Sequence, residues 1–392
     1  MPEPDHSLVR CPAVRANPHH FTRRDGITTM AQAKRVITGG VDTHKDFHVA
    51  VALDDLGRLL GTEQFASGTA GYKKLLAWLS HFGRLEAVGV EGTGSWGAGL
   101  ARYLASEGVK VLEVVRPKRQ VRRRRGKSDP ADAEAAARAV LAGEELGTPK
   151  AATGPVEAVR LLRIARRSAM KARIQAANQV HAVIDTAPEA LRAELMGLSE
   201  RARMQKAARL RPDDPSTPLG AAKLALACLA KRWTALSAEI AALDAELAKV
   251  VATTAPSLVA LKGVGVETAG SLLRAVGDNP ARLSSEASFA ALCGTSPVAA
   301  SSGRHQERHR LNRGGDREAN TALYMIVLCR LAWHQPTKDY MARRTAEGKT
   351  KKEVIRCLKR YVARAAYRAI IADMAPNARP KTGTGTADQK AA

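Results

Sequence analysis

The densest chemistry in this sequence lies between Arg116 and Asp132, RPKRQVRRRRGKSDPAD. Cations crowd its first part: Arg116, Lys118, Arg119, Arg122, Arg123, Arg124, Arg125 and Lys127. The acids Asp129 and Asp132 follow at once. Ser128 and Asp129 are residue types that cap helices, Pro130 suits a first helical position, and AEAAARAVLA propagates well. Asp129 therefore marks a helix start, and Asp132, three residues on, shares its face. Two carboxylates facing one way, beside cations that attract phosphate, can hold a divalent metal against a phosphodiester. The same residues also suit a capped helix after a solvated basic loop, so the surrounding elements decide.

Those elements alternate in type. Val36 to Asp42 reads as a short apolar strand ending in an acid, Phe47 to Asp54 as an alternating second strand, and Arg58 to Phe65 as a third. Gly68 to Phe82 has helical periodicity, and Glu86 to Glu91 reads as a buried strand ending in a second acid. A helix then passes through Leu100 and Leu104, and Lys110 to Val115 is a last strand before the basic loop. The order is β-β-β-α-β-α-β-α. Asp42 and Glu91 close strands, and Asp129 opens a helix, at the kind of edge where ligand sites of α/β sheets converge. Taken singly, each acid also fits a turn cap or a solvated strand end. Asp46, Asp54 and Asp55 read as surface acids, and His44 and His48 as ordinary surface histidines.

Charge narrows the partner. The 392 residues carry Lys+Arg 62 against Asp+Glu 38, a formal charge of +24. Such an excess favours a polyanion, most simply nucleic acid. No apolar run approaches the roughly 20 residues that span a bilayer, so no membrane partner is expected. The cysteines Cys11, Cys228, Cys293, Cys329 and Cys357 are odd in number and form no CxxC pair. Neither a disulfide framework nor a zinc site is suggested, and a reducing cytoplasm fits. Residues 1–33 read as a disordered leader or an over-long start before Met30, and 375–392 as a disordered tail.

The order of elements in 34–150, with acids at those places, resembles the RNase H-like fold of RuvC-type nucleases. That resemblance implies a metal set of Asp42, Glu91, Asp129 and Asp132 holding Mg²⁺ or Mn²⁺ at a scissile phosphate. Residues 151–255 read as all-α. Arg160, Arg163, Arg166, Arg167, Lys171 and Arg173 surround an apolar stripe, so Arg163 and Arg167 are candidate phosphate contacts as well as a solvated face. Leu226, Leu229, Trp233, Leu236, Ile240, Leu243, Leu247 and Val250 recur in steps of three and four, as in a coiled coil between chains or a hairpin within one.

Residues 256–374 read as a mainly α domain. Ser257 to Asp278 reads as a helix-hairpin-helix, whose turn at Gly263 and Gly265 can offer backbone N–H groups to phosphate. A Ser-Ser-Gly loop follows, with Arg304, Arg308 and Arg310 beside it. Serine among arginines that can hold a phosphate is a candidate nucleophile.

Together, VDTHKD, EGTGSW, SDPADA, LKGVGVETAGSLL, CGTSPVAASSG and RGGDREANTALYM make the chain resemble the insertion sequence 110 family of transposases. The resemblance covers about Lys34 to Ile371. It implies a DNA transposase or recombinase in which Asp42, Glu91, Asp129 and Asp132 form the DEDD set and Ser302 is the nucleophile, with Ser301 beside it as the alternative. It further implies DNA at element ends and target, a guide noncoding RNA, and a homo-oligomer, dimer or tetramer. A RuvC-like hydrolase that uses water, and a non-catalytic nucleic-acid-binding scaffold, are the rival readings.

Overall fold

The structure is a computed structural model and describes residues 35–114, 128–144, 146–299, 309–312 and 314–374. Five strands, β1 (Val36–Thr43), β2 (Phe47–Asp54), β3 (Leu59–Ala66), β4 (Arg84–Glu91) and β5 (Val111–Val114), form one sheet in the order β3-β2-β1-β4-β5. β1, β2 and β3 make an antiparallel meander, while β4 joins β1, and β5 joins β4, in parallel. Period-two alternation splits β2 between two layers. Ala50 and Ala52 face the core shared with α1 (Thr69–His81) and α2 (Ala98–Ser106), through Leu75, Leu79, Leu100 and Leu104. Val49, Val51 and Leu53 face Ala133 and Ala137 of α3 (Asp129–Leu141). Burial on both faces is why β1 and β2 are apolar almost throughout.

Helix α3 lies unusually close to the sheet. Its contact face is alanine, and Gly40 and Gly89 sit opposite each other in the β1–β4 register beneath it. A Cβ at Gly40 would lie 2.2 Å from the Ala133 carbonyl oxygen and 2.3 Å from the Ala137 nitrogen. One at Gly89 would lie 2.7 Å from the Ala136 carbonyl oxygen. These are backbone atoms, which a rotamer change cannot clear.

Two residues expected at the surface are in fact fully buried. Asp54 closes the β2–β3 turn, accepting from Leu56 N–H (3.1 Å), Arg58 N–H (2.8 Å) and Arg58 Nε (2.7 Å). A buried carboxylate is stable there because three donors replace its water. His48 stacks on Tyr72 with ring centroids 5.6 Å apart, and neither ring nitrogen has a hydrogen-bond partner. Burial holds its pKa below the ordinary histidine value, against the Phe47 backbone, which favours the charged form.

Beyond the sheet the chain is helical. α4 (Pro155–Thr186) runs out, α5 (Glu189–Met196) and α6 (Glu200–Ala207) turn the corner, and α7 (Pro218–Thr254) runs back. The pairing is antiparallel: Arg166 meets Asp244, Arg173 lies over Trp233, and Val180 and Ile184 pack with Leu226 and Ala230. The apolar seam of α7 is thus occupied by α4 of the same chain. The base of this pair enters the core of the helices that follow: α8 (Pro256–Ala260), α9 (Val266–Val276), α10 (Glu286–Leu292), α11 (Arg317–Trp333), α12 (Gln335–Ala346) and α13 (Lys351–Met374). Val156, Val159, Leu247 and Val251 are buried with Leu272, Phe289, Leu323 and Val354. That core therefore crosses the boundary expected at 255. A two-stranded hairpin of β6 (Pro297–Ala299) and β7 (His309–Leu311) completes the fold.

Gly40→Ala should lower stability by about 3 kcal/mol, the upper end of overpacking costs, because α3 must lift as a body. Gly39→Ala meets only side-chain carbons of Leu79 and Val88 and should cost about 1 kcal/mol or less. Urea midpoints of the two variants check this, and equal midpoints would refute the close approach. The second expectation concerns pH. Because the folded protein disfavours charged His48, stability should be full above the ordinary histidine pKa of about 6.5 and fall as pH drops below it. The unfolding temperature of His48→Phe should fall less than wild type between pH 7 and pH 5.

Candidate metal centre at the sheet edge

Three elements deliver the acids to one place. β1 and β4 run parallel with Gly40 opposite Gly89 and Val41 opposite Val90, so Asp42 and Glu91 come next on both strands. The Thr43 hydroxyl donates to the Glu91 carbonyl (2.8 Å) and ties the two ends together. The glycine-floored contact sets the first turn of α3 over them, carrying Asp129 and Asp132. Ser128 adopts the extended N-cap conformation, although its hydroxyl makes no capping bond, and the Asp132 N–H donates to its carbonyl. Asp42, Glu91 and Asp132 are all buried, whereas the Asp129 side chain is 36% exposed. Burial raises the Asp42 pKa above the ordinary carboxylate value; His44 opposes the rise, and Glu91, Asp132 and Asp129 add to it. Each of the other three predicted acids therefore stands near enough to Asp42 to disfavour its charge.

Such a cluster is costly without a cation, and its all-oxygen donors suit Mg²⁺ or Mn²⁺. One further donor was missed by the sequence reading. His44 is not an ordinary surface histidine: its Nε2 lies 3.3 Å from Asp42 Oδ2 and 3.3 Å from Asp129 Oδ2. Donor atoms of Asp42, His44 and Asp129 all fall within 4.8 Å of one another. The available signal was its place two residues beyond Asp42, in the turn between β1 and β2.

The cations and the serine loop fare differently. Arg122, Arg123, Arg124, Arg125, Lys127, Ser301, Ser302, Arg304 and Arg308 lie outside the described residues, and Arg310 is described only as part of β7. β6 and β7 pair Ala299 with His309, so they bracket the segment that bears both serines. Beneath the hairpin, Asn320 donates to the carbonyls of Cys293 (2.8 Å) and Gly294 (3.1 Å) and accepts from Lys359 (2.6 Å). Asp316 caps α11 through the N–H groups of Glu318 and Ala319. Much of the GGDREAN motif thus anchors the base of the hairpin.

Arg163 is turned inward: its side chain is 5% exposed and donates to Glu267 (2.6 Å) and Ser271 (2.7 Å). Arg167 donates to Glu318 (2.5 Å) but stays half exposed, on the wall of a cavity of about 340 Å³ with Arg160, Ser168 and Lys171. Hydrogen bonding from Arg167 pulls Glu318 down to about 2, with Arg274 and Arg163 adding to this against the effect of burial. At the other turn, Gly263 (φ +79°) fits under Ile326 and Arg330 of α11. The Gly265 N–H is occupied by the Thr268 hydroxyl.

Comparison with known proteins agrees with this layout. Residues 39–187 match a transposase family model of the DEDD, IS110 type, and residues 255–342 match one described as transposase, IS116/IS110/IS902 family. An insertion element IS110 uncharacterized 43.6 kDa protein of Streptomyces coelicolor is 29% identical over 133 residues. That alignment covers 33% of this chain and 33% of the relative, about a third of each.

Asp42→Asn removes one charge from the crowded cluster. It should raise the stability of the metal-free protein at pH 8, since a raised carboxyl pKa means the fold prefers the neutral form. Calorimetry in chelator checks it, and a loss of stability would show that Asp42 is held by favourable partners.

Proposed function

The chain belongs to the IS110 family of transposases, and on that premise we propose that it cuts and rejoins DNA strands at the ends of an insertion sequence and at its target. The observation that carries this is the convergence of Asp42, Glu91, Asp129 and Asp132 at one sheet edge. These residues would hold Mg²⁺ or Mn²⁺, which supplies charge stabilisation at the scissile phosphate. The carboxylates fix that charge on rigid strand ends, where the substrate's phosphodiester must come to it. Ser302, with Ser301 as the alternative, attacks phosphorus. The Oγ–P bond forms as the bond to one DNA strand breaks, the hydroxyl proton passes to solvent or a nearby base, and a freed strand hydroxyl later reverses the step. Arg304, Arg308 and Arg310 hold the non-bridging oxygens. Conserving the ester as phosphoserine is what separates rejoining from hydrolysis.

Recognition is electrostatic in the first instance. With a formal charge of +24, the chain is suited to long polyanions. Arg122 to Arg125, Lys127 and Arg167 contact phosphates, whereas the Gly265 N–H in the glycine turn is already taken by the Thr268 hydroxyl. A guide noncoding RNA would be held by shape and phosphate contacts, leaving base pairing to choose the DNA. A homo-oligomer, dimer or tetramer, would bring a serine loop to an acidic edge. Among the described residues no helix is long and apolar enough to cross a membrane, and we place the protein in the cytoplasm.

With Mg²⁺ and DNA carrying element ends, a protein–DNA adduct that survives denaturation should form, and should vanish in Ser302→Ala and in Asp42→Ala alike. Loss in Ser301→Ala instead would move the nucleophile by one residue. Strand cleavage that persists without either serine and without an adduct would establish the hydrolase reading.

A further inference from the structure

We infer that His44 is a ligand of the divalent cation and shifts the preference of the site from Mg²⁺ toward Mn²⁺ and other ions that accept nitrogen. This rests on reading the acidic edge as a metal centre, and it adds to that reading a donor of a different chemical kind.

The backbone fixes where His44 stands. β1 ends at Thr43, and the His44 N–H donates to the Phe47 carbonyl (3.0 Å), closing a tight turn into β2. The Ser67 hydroxyl reaches the His44 carbonyl (3.4 Å) from beyond β3. The imidazole leans on the Phe47 ring, with centroids 4.8 Å apart, which leaves Nε2 pointing toward the acids. Its position is therefore set by the same strand that sets Asp42.

The contacts of Nε2 fit a metal ligand better than a counter-ion. It is equidistant from Asp42 Oδ2 and Asp129 Oδ2, at 3.3 Å from each. An imidazolium held as a counter-ion makes charge-assisted bonds of about 2.7–2.9 Å. Here Nε2 is buried and makes no hydrogen bond to either oxygen. Neighbouring ligands around an ion with bonds of about 2.1 Å lie about 3.0 Å apart, close to the spacing seen. Mg²⁺ favours oxygen and retains its water, whereas first-row transition ions accept imidazole readily. A nitrogen between two carboxylates therefore discriminates among cations where a wholly acidic site would not.

The test uses the full chain, free of affinity tags and without nucleic acid. Mn²⁺ bound to wild type should show ¹⁴N coupling in electron spin echo modulation, absent in His44→Ala and His44→Gln. By titration calorimetry, each variant should lose about tenfold or more in Mn²⁺ affinity while Mg²⁺ affinity changes by less than about threefold. Circular dichroism confirms that both variants fold. Absence of nitrogen coupling in wild type, or an unchanged Mn²⁺/Mg²⁺ ratio in both variants, overturns the inference. Asp42→Asn tests the reading beneath it. If that variant abolishes binding of both ions while His44→Ala keeps the ratio, His44 alone is excluded. If Asp42→Asn binds both ions as wild type does, the metal centre itself is refuted.

Discussion

The site depends on the absence of two side chains. Gly40 and Gly89 leave the backbone of α3 lying almost on the backbone of β1 and β4, with no layer of side chains between. Stacked sheets pack about 10 Å apart because side chains fill the gap, and a helix on a sheet is ordinarily held off in the same way. Here alanine on the helix and glycine on the strands close it. The acids on α3 are short, so they reach Asp42 and Glu91 only because the helix start lies low over the strand ends. The Asp42 pKa, lifted first by burial and then by Glu91, Asp132 and Asp129, is the electrostatic mark of the same approach. Packing therefore holds together groups that would otherwise move apart.

A second constraint ties the long helical pair to the C-terminal core. Arg163, Arg167 and Arg274 converge on Glu318, with Glu267 and Asp316 completing the set. Removing one partner from such a network leaves a buried charge exposed to low dielectric, which costs more than the pair contributes. The depressed Glu318 pKa means that its contribution is present above the ordinary carboxylate value and lost only as pH falls toward about 2. The arm formed by α4 and α7 is thus oriented by ions at its base and by apolar contacts along its length.

The strands, α1 and the helix opening at Asp129 were legible because local pattern and tertiary burial agree there. Acids at strand ends could be read for the same reason: position along a strand fixes position at a sheet edge. What escaped the reading depends on partners far away in the chain. Asp54 and His48 follow the period of β2 inward, and a polar residue type alone does not say that donors or a tyrosine ring await it. Arg163 falls in a cationic stripe that suits solvent or phosphate equally, and its partner Glu267 is 104 positions away. The seam of α7 has the same spacing whether its complement is another chain or α4. His44 looked like a surface residue because its neighbour Asp129 comes beside it only on folding.

The glycine floor also bears on how copies of such a gene decay. Any single-base change of a glycine codon that alters the amino acid without ending the chain adds a Cβ. At position 40 that atom has nowhere to go. A copy can therefore keep every acid and still lose the edge they share, through a substitution in a residue that carries no chemistry of its own. Counting intact carboxylates across a genome would score that copy as competent. The more telling letter is the glycine two places before the first acid.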